Sequence, residues 1–140
     1  MKILRYFMMA LLLASATTQA AAKQQKTQHL YMFGFAASFK DSTVYITDIQ
    51  DVQGAWVDTK TKFLLDRDSY SQQLRRWLAD ERKESSRVCL VVFDKSKSKA
   101  EKKLAKLRKK YEGKKSRAYD IRQLTAAEFK FEAIERSSDE

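Results

Sequence analysis

The first 22 residues constrain this chain most, because their pattern takes them out of the fold. Lys2 and Arg5 put positive charge at the start, residues 3–13 are almost wholly apolar, and residues 14–22 are small, with cleavage sites after Ala20 or Ala22. Positive, apolar and small segments in that order make a secretory signal peptide. The apolar run is shorter than the roughly 20 residues a transmembrane helix requires. No cysteine stands beside the cleavage site, so the product is expected to be free and not a lipoprotein. The protein is therefore expected to be exported, periplasmic or secreted, with no transmembrane segment after cleavage. Its fold must come from the 118 residues after Ala22.

That length suits one domain around one core, expected over residues 23–136 with a disordered tail at 137–140. An exported protein has access to disulfides, but Cys89 is the single cysteine and no intramolecular bridge can form. Stability must then rest on packing. There are three glycines and no proline, so loops are built from Asp, Ser, Lys and Thr, and no glycine-rich phosphate loop exists.

Hydrophobic periodicity outlines the elements. Residues 23–28 are polar and expected to fray. Residues 30–37 are apolar and aromatic, and 43–49 alternate with β-branched residues, so the two are expected to form a hairpin. Residues 50–63 read as a strand extension and loop around Trp56 and Val57. Ser69-Tyr70-Ser71-Gln72 matches a capping box, and Tyr70, Leu74, Trp77 and Leu78 make one helical stripe. Residues 88–93 form an unbroken apolar run suited to an interior strand covered on both faces.

A second capping box, at Ser98 and Glu101, precedes the stripe Ala100, Leu104, Leu107 and Tyr111, with Gly113 as C-cap. Residues 118–124 alternate as a strand, Thr125 and Glu128 make a third box, and 129–133 read as a last short strand. The order is β-β-α-β-α-β, with a final β optional. The expected class is α/β (α+β), a two-layer sandwich of one mixed sheet of four or five strands with two helices against it.

Charge singles out one segment. Removing the leader leaves 26 basic against 18 acidic residues, a net +8, yet residues 95–117 alone hold twelve basic residues against Glu101 and Glu112. With Leu104 facing the core, Lys102, Lys106 and Lys109 point directly away, flanked by Lys99 and Lys110. A cationic face of this kind concentrates anions and speeds their encounter. In an envelope compartment the candidates are lipid head groups, lipopolysaccharide phosphates, acidic glycans or an acidic protein. Nucleic acid is disfavoured, because no aromatics interleave the lysines to stack bases. The bland alternative is a solvated helix face.

Other constellations point less far. His29 and Cys89 are each unique, and a buried strand cysteine behaves as a small inert hydrophobe. Asp48/Asp51 and Asp66/Asp68 are carboxylate pairs of a kind that binds calcium or hydrolyses glycosides, but Asp at such positions ends strands and starts helices. Tyr31, Phe33, Phe35, Phe39, Tyr45 and Trp56 fit a core better than a ligand groove. A zinc site needs several His or Cys ligands, and the chain has one of each. No catalytic residue, metal or cofactor is expected.

Two family resemblances follow from these residues. The stretch 30–50, Leu-Tyr-Met-Phe-Gly-Phe-Ala-Ala-Ser-Phe-Lys-Asp-Ser-Thr-Val-Tyr-Ile-Thr-Asp-Ile-Gln, continuing through 63–70, resembles small secreted proteins of Bacteroidetes with no assigned activity. That implies export from a Gram-negative cell. The stretch from Val91-Val92-Phe93 through Ala100-Glu101, Leu104 and Leu107 to Tyr119 is similar to a strand–helix–strand half of SPOR domains, which implies peptidoglycan binding and carries no site residue with it.

The leading expectation is a non-enzymatic envelope protein, a small binding or accessory module whose basic helix contacts an anionic partner. The alternatives are a SPOR-like glycan-binding module and a small carboxylate-based hydrolase.

Overall fold

The computed structural model describes residues 23–113 and 118–136. The expected signal peptide, the expected disordered tail and residues 114–117 of the basic segment lie outside the described residues. The elements run β1 (Gln24–Lys26), β2 (Tyr31–Ala37), β3 (Thr43–Thr47), β4 (Gln50–Asp51), β5 (Trp56–Asp58), α1 (Arg67–Glu81), β6 (Val88–Asp94), α2 (Lys97–Glu112) and β7 (Asp120–Leu124).

β2 is the spine of the main sheet because it is apolar on both sides; its five central residues are all buried. Along one edge it pairs antiparallel with β6, from Tyr31 opposite Asp94 to Ala37 opposite Val88. Along the other it pairs antiparallel with β3 and then β4, and β3 pairs parallel with β7. Among the described residues, the five-stranded mixed sheet and two helices make an α+β fold.

A spine buried on both sides needs cover on both faces. Met32, Ala36, Tyr45, Cys89 and Val91 pack with Tyr70, Leu74 and Leu78 of α1 and with Phe129 and Phe131. Phe35, Val44 and Ile46 pack with Leu104, Leu107 and Tyr111 of α2. Both helices lie against the sheet as expected, but on opposite faces, so the sandwich gains a third layer.

The strand over 88–93, expected to be interior, is an edge: among the described residues β6 pairs with β2 alone. Its apolar run is unbroken, yet its faces differ. Cys89 and Val91 are buried, whereas Val88 and Leu90 are 53% and 39% exposed. Two carbonyls of this strand take side-chain donors in place of a neighbouring strand: Arg67 Nη2 donates to Val91 O at 2.8 Å and Lys103 Nζ to Phe93 O at 3.1 Å. Such cover blunts an open sheet edge. β6 and β7, the strands flanking α2, lie at opposite edges with β2 and β3 between them.

A β-bulge joins β3 to β4. Phe35 faces Ile46 and Met32 faces Gln50, so Phe33 and Gly34 oppose three residues, Thr47, Asp48 and Ile49. The buried Thr47 hydroxyl accepts the Gly34 N–H at 2.8 Å, satisfying a group the broken ladder leaves over. At Gly34 a Cβ would stand 2.7 Å from Leu74 Cδ2 and 3.1 Å from Phe131 Cζ. The missing side chain lets α1 and the C-terminal segment close onto the sheet.

Several local expectations need correction. Residues 23–28 are not frayed: β1 pairs with β5, and the Thr27 hydroxyl donates to Ala55 O at 2.7 Å. α1 begins two residues before Ser69; its N-cap, Asp66, sits at φ 57 without a side-chain cap bond, its carboxylate accepting from Arg136 instead. α2 is capped by Ser96 and not Ser98, the Ser96 Oγ accepting the Lys99 N–H at 3.4 Å. The third box forms as expected, with Thr125 N–H and Oγ1 at 3.3 and 3.1 Å from Glu128 Oε1.

Residues 129–133 form no strand. Glutamine side chains hold this segment as a strand would. Buried Gln50 donates to Phe129 O at 2.9 Å and accepts from Phe131 N–H at 2.7 Å. Gln73 repeats the pattern on Glu132, donating at 2.8 Å and accepting at 2.9 Å. The Tyr70 hydroxyl accepts the Ile134 N–H at 3.0 Å. Phe129 and Phe131 are thereby fixed over the α1 face of the core.

Candidate anion-binding surface

α2 buries one narrow stripe. Ala100 is fully buried, Leu104 and Leu107 are partly so, and the Tyr111 ring meets Phe35 at 5.1 Å and Tyr119 at 4.9 Å. Helical geometry then sends Lys99, Lys102, Lys106, Lys109 and Lys110 outward, and all five are exposed. They span about 16 Å of axis at 1.5 Å per residue. Among the described residues none of the five forms an ion pair within 4 Å; the pairs on this helix are Lys103 with Asp94 at 3.1 Å and Arg108 with Glu112 at 3.4 Å. Arg108 also bonds Gln123, which fastens the helix to β7.

The charges sit unevenly on the helix dipole. Lys109 and Lys110 in the last turn face its negative end, a favourable place, while the first turn carries lysine and no acid. At that end Lys99 faces a cleft shared with Lys62, Arg67, Lys95 and Lys103. Of these five the helical projection singles out Lys99 alone: Lys103 is on the same helix but outside that set, and Lys62, Arg67 and Lys95 lie outside the helix. Asp94 lies among them. Burial pushes its carboxyl up, but the Ser96 N–H and the Lys103 and Lys99 ammonium groups outweigh that and hold it below the usual carboxylate range.

The other candidates disperse into structural roles. Ala36 is the register partner of Cys89, and His29 precedes β2, so the two lie roughly 20 Å apart along the strand. His29 Nδ1 pairs with Asp51 at 2.6 Å. Burial pushes the Cys89 thiol up, the opposite of what a nucleophile needs. Asp48 accepts from Gln123 at 2.7 Å and from Ala126 N–H at 3.3 Å. Asp51 accepts from Leu30 N–H and Asp66 from Arg136. No group of three or more His, Cys, Asp or Glu side chains converges among the described residues.

Of the aromatics, Phe33, Phe35 and Tyr45 are core and Tyr31 and Trp56 are half-buried, but Phe39 at the hairpin tip is 96% exposed. It borders an apolar cleft of about 300 Å³ that Val88, Leu90, Tyr111 and Tyr119 also line. No described helix is long and apolar enough to cross a membrane.

Family models, curated proteins and solved structures yield no match to this chain.

Proposed function

We propose that the protein is an exported, non-enzymatic binding module of the cell envelope, and that α2 docks it on an anionic partner. One observation carries this reading. Lys99, Lys102, Lys106, Lys109 and Lys110 stand exposed on one helix face without a carboxylate partner among the described residues. Charged side chains held only for solubility are commonly interspersed with the opposite sign; here the acids of α2, Glu101 and Glu112, leave the face a large positive excess. The export signal read in residues 1–22 and the likeness to secreted Bacteroidetes proteins support an envelope anion over nucleic acid. The peptidoglycan reading through a sheet face finds less support, since α1 and α2 cover opposite faces.

The experiment is charge reversal at Lys102, Lys106 and Lys109. These side chains are exposed, so the fold should tolerate the change, and thermal melting checks that it does. The triple variant should leave the envelope fraction for the soluble one. Unchanged retention of a folded triple variant contradicts the proposal.

A further inference from the structure

At the N-terminal end of α2, the end of β6, the loop before α1 and the first turn of each helix enclose a cleft of about 560 Å³. Small-molecule sites occupy roughly 300–1,000 Å³. Its lining combines two chemistries. Lys62, Arg67, Lys95, Lys99 and Lys103 surround a single carboxylate, Asp94. That carboxylate is already engaged, by Lys103 at 3.1 Å and by the Ser96 N–H at 2.9 Å. The other four cations form no ion pair among the described residues. Beside them stand Phe93 and Phe63, the latter 64% exposed.

Two features separate this cleft from a solvated lysine cluster. Arg67 is preset: its Nη2 donates to Val91 O at 2.8 Å and its guanidinium lies 5.7 Å over the Phe93 ring. A guanidinium already fixed in plane loses less freedom on engaging an oxyanion. The first turn of α2 also places lysine, without any acid, on the positive end of the helix dipole. That arrangement is unfavourable on its own and is relieved by an anion in the cleft.

We infer that the cleft binds a small organic phosphate, with the phosphate between Arg67, Lys95 and Lys99 and a ring or apolar portion against Phe63 and Phe93. A phosphate group, with a charge of about −1.5 to −2 and three acceptor oxygens, matches several unpaired cations better than a carboxylate does. The site lies apart from the outward face of α2 and shares only Lys99 with it.

The test titrates the full chain with inorganic phosphate and with phenyl phosphate, followed by amide NMR shifts. Saturable shifts should fall in residues 61–67 and 92–103, with phenyl phosphate about fivefold tighter. Phe63→Ala should abolish that preference and leave inorganic phosphate unchanged. The double variant R67A/K95A, its fold checked by thermal melting because Arg67 also covers the Val91 carbonyl, should weaken both probes about tenfold, while K106E/K109E stays within about twofold.

No saturation by about 10 mM of either probe overturns the inference. So does equal weakening by K106E/K109E and R67A/K95A, which would mean diffuse charge attraction. Displacement of phenyl phosphate by glycerol phosphate supports a free ligand, and displacement by phosphatidylglycerol vesicles supports a lipid head group. Displacement by neither overturns it.

Discussion

Gln50→Leu isolates what holds the C-terminal segment. The Gln50 amide gives the Phe129 carbonyl a donor at 2.9 Å and the Phe131 N–H an acceptor at 2.7 Å, inside the core. Leucine is close in size but satisfies neither group. Each buried polar group left unpaired costs about 1–3 kcal/mol, so the gross loss is about 2–6 kcal/mol. The added apolar side chain returns about 1 kcal/mol. The net expectation is a loss of about 1–5 kcal/mol, no more than the 5–15 kcal/mol stability typical of a domain, so the variant should still fold. Gln73→Leu is the control: it deletes the same pair of bonds, at 2.8 and 2.9 Å, at an exposed site. There water replaces the lost partner, and the cost should stay below about 1 kcal/mol. Urea denaturation gives both values, and amide exchange at Phe131 should quicken in Q50L alone. Equal costs for the two variants would refute the argument that burial gives this clamp its strength.

Gly34→Ala should destabilise by about 1–3 kcal/mol in the same assay, since its Cβ would stand 2.7 Å from Leu74 Cδ2; a neutral result means α1 can move away. Stability should fall on acidification. The Thr61 and Lys60 N–H groups hold the Asp58 carboxyl below its ordinary 3.8, and the Thr125 N–H and hydroxyl hold Glu128 below 4.5. Groups lowered by folding stabilise fully above their unfolded pKa and lose that contribution as pH falls through the folded one. Asp58→Asn should therefore flatten the decline in Tm from about pH 5 to 3. Cys89, buried and with its thiol pushed up by burial, should resist iodoacetamide in the native protein and react on denaturation. Fast native labelling would show that β6 opens.

Periodicity made much of this fold legible. The stripe of Tyr70, Leu74 and Leu78 and that of Ala100, Leu104 and Leu107 depend only on local spacing, and both helices pack through them. The outward direction of the five lysines follows from the same spacing. Features set by distant partners were not legible. β6 is as apolar as an interior strand, and what covers its outer edge is Arg67 and Lys103 reaching to its carbonyls from distant positions. β1 looks like a polar leader because its order comes from β5 and Ala55. The segment 129–133 alternates like a strand, but its partners are glutamine side chains, which leave no periodic trace. The cationic cleft was hidden likewise, since Lys62 and Arg67 meet Lys95, Lys99 and Lys103 of the basic segment only in the fold.

The central claim is that the unpaired lysines of α2 hold the protein to an anionic envelope component. Its most direct measurement is binding of the protein to its own isolated envelope across about 50 to 500 mM salt, for the native chain and for the variant reversed at Lys102, Lys106 and Lys109. The account predicts that native binding weakens steeply with salt and that the variant binds weakly throughout. Binding that is independent of salt and the same for both proteins would contradict it.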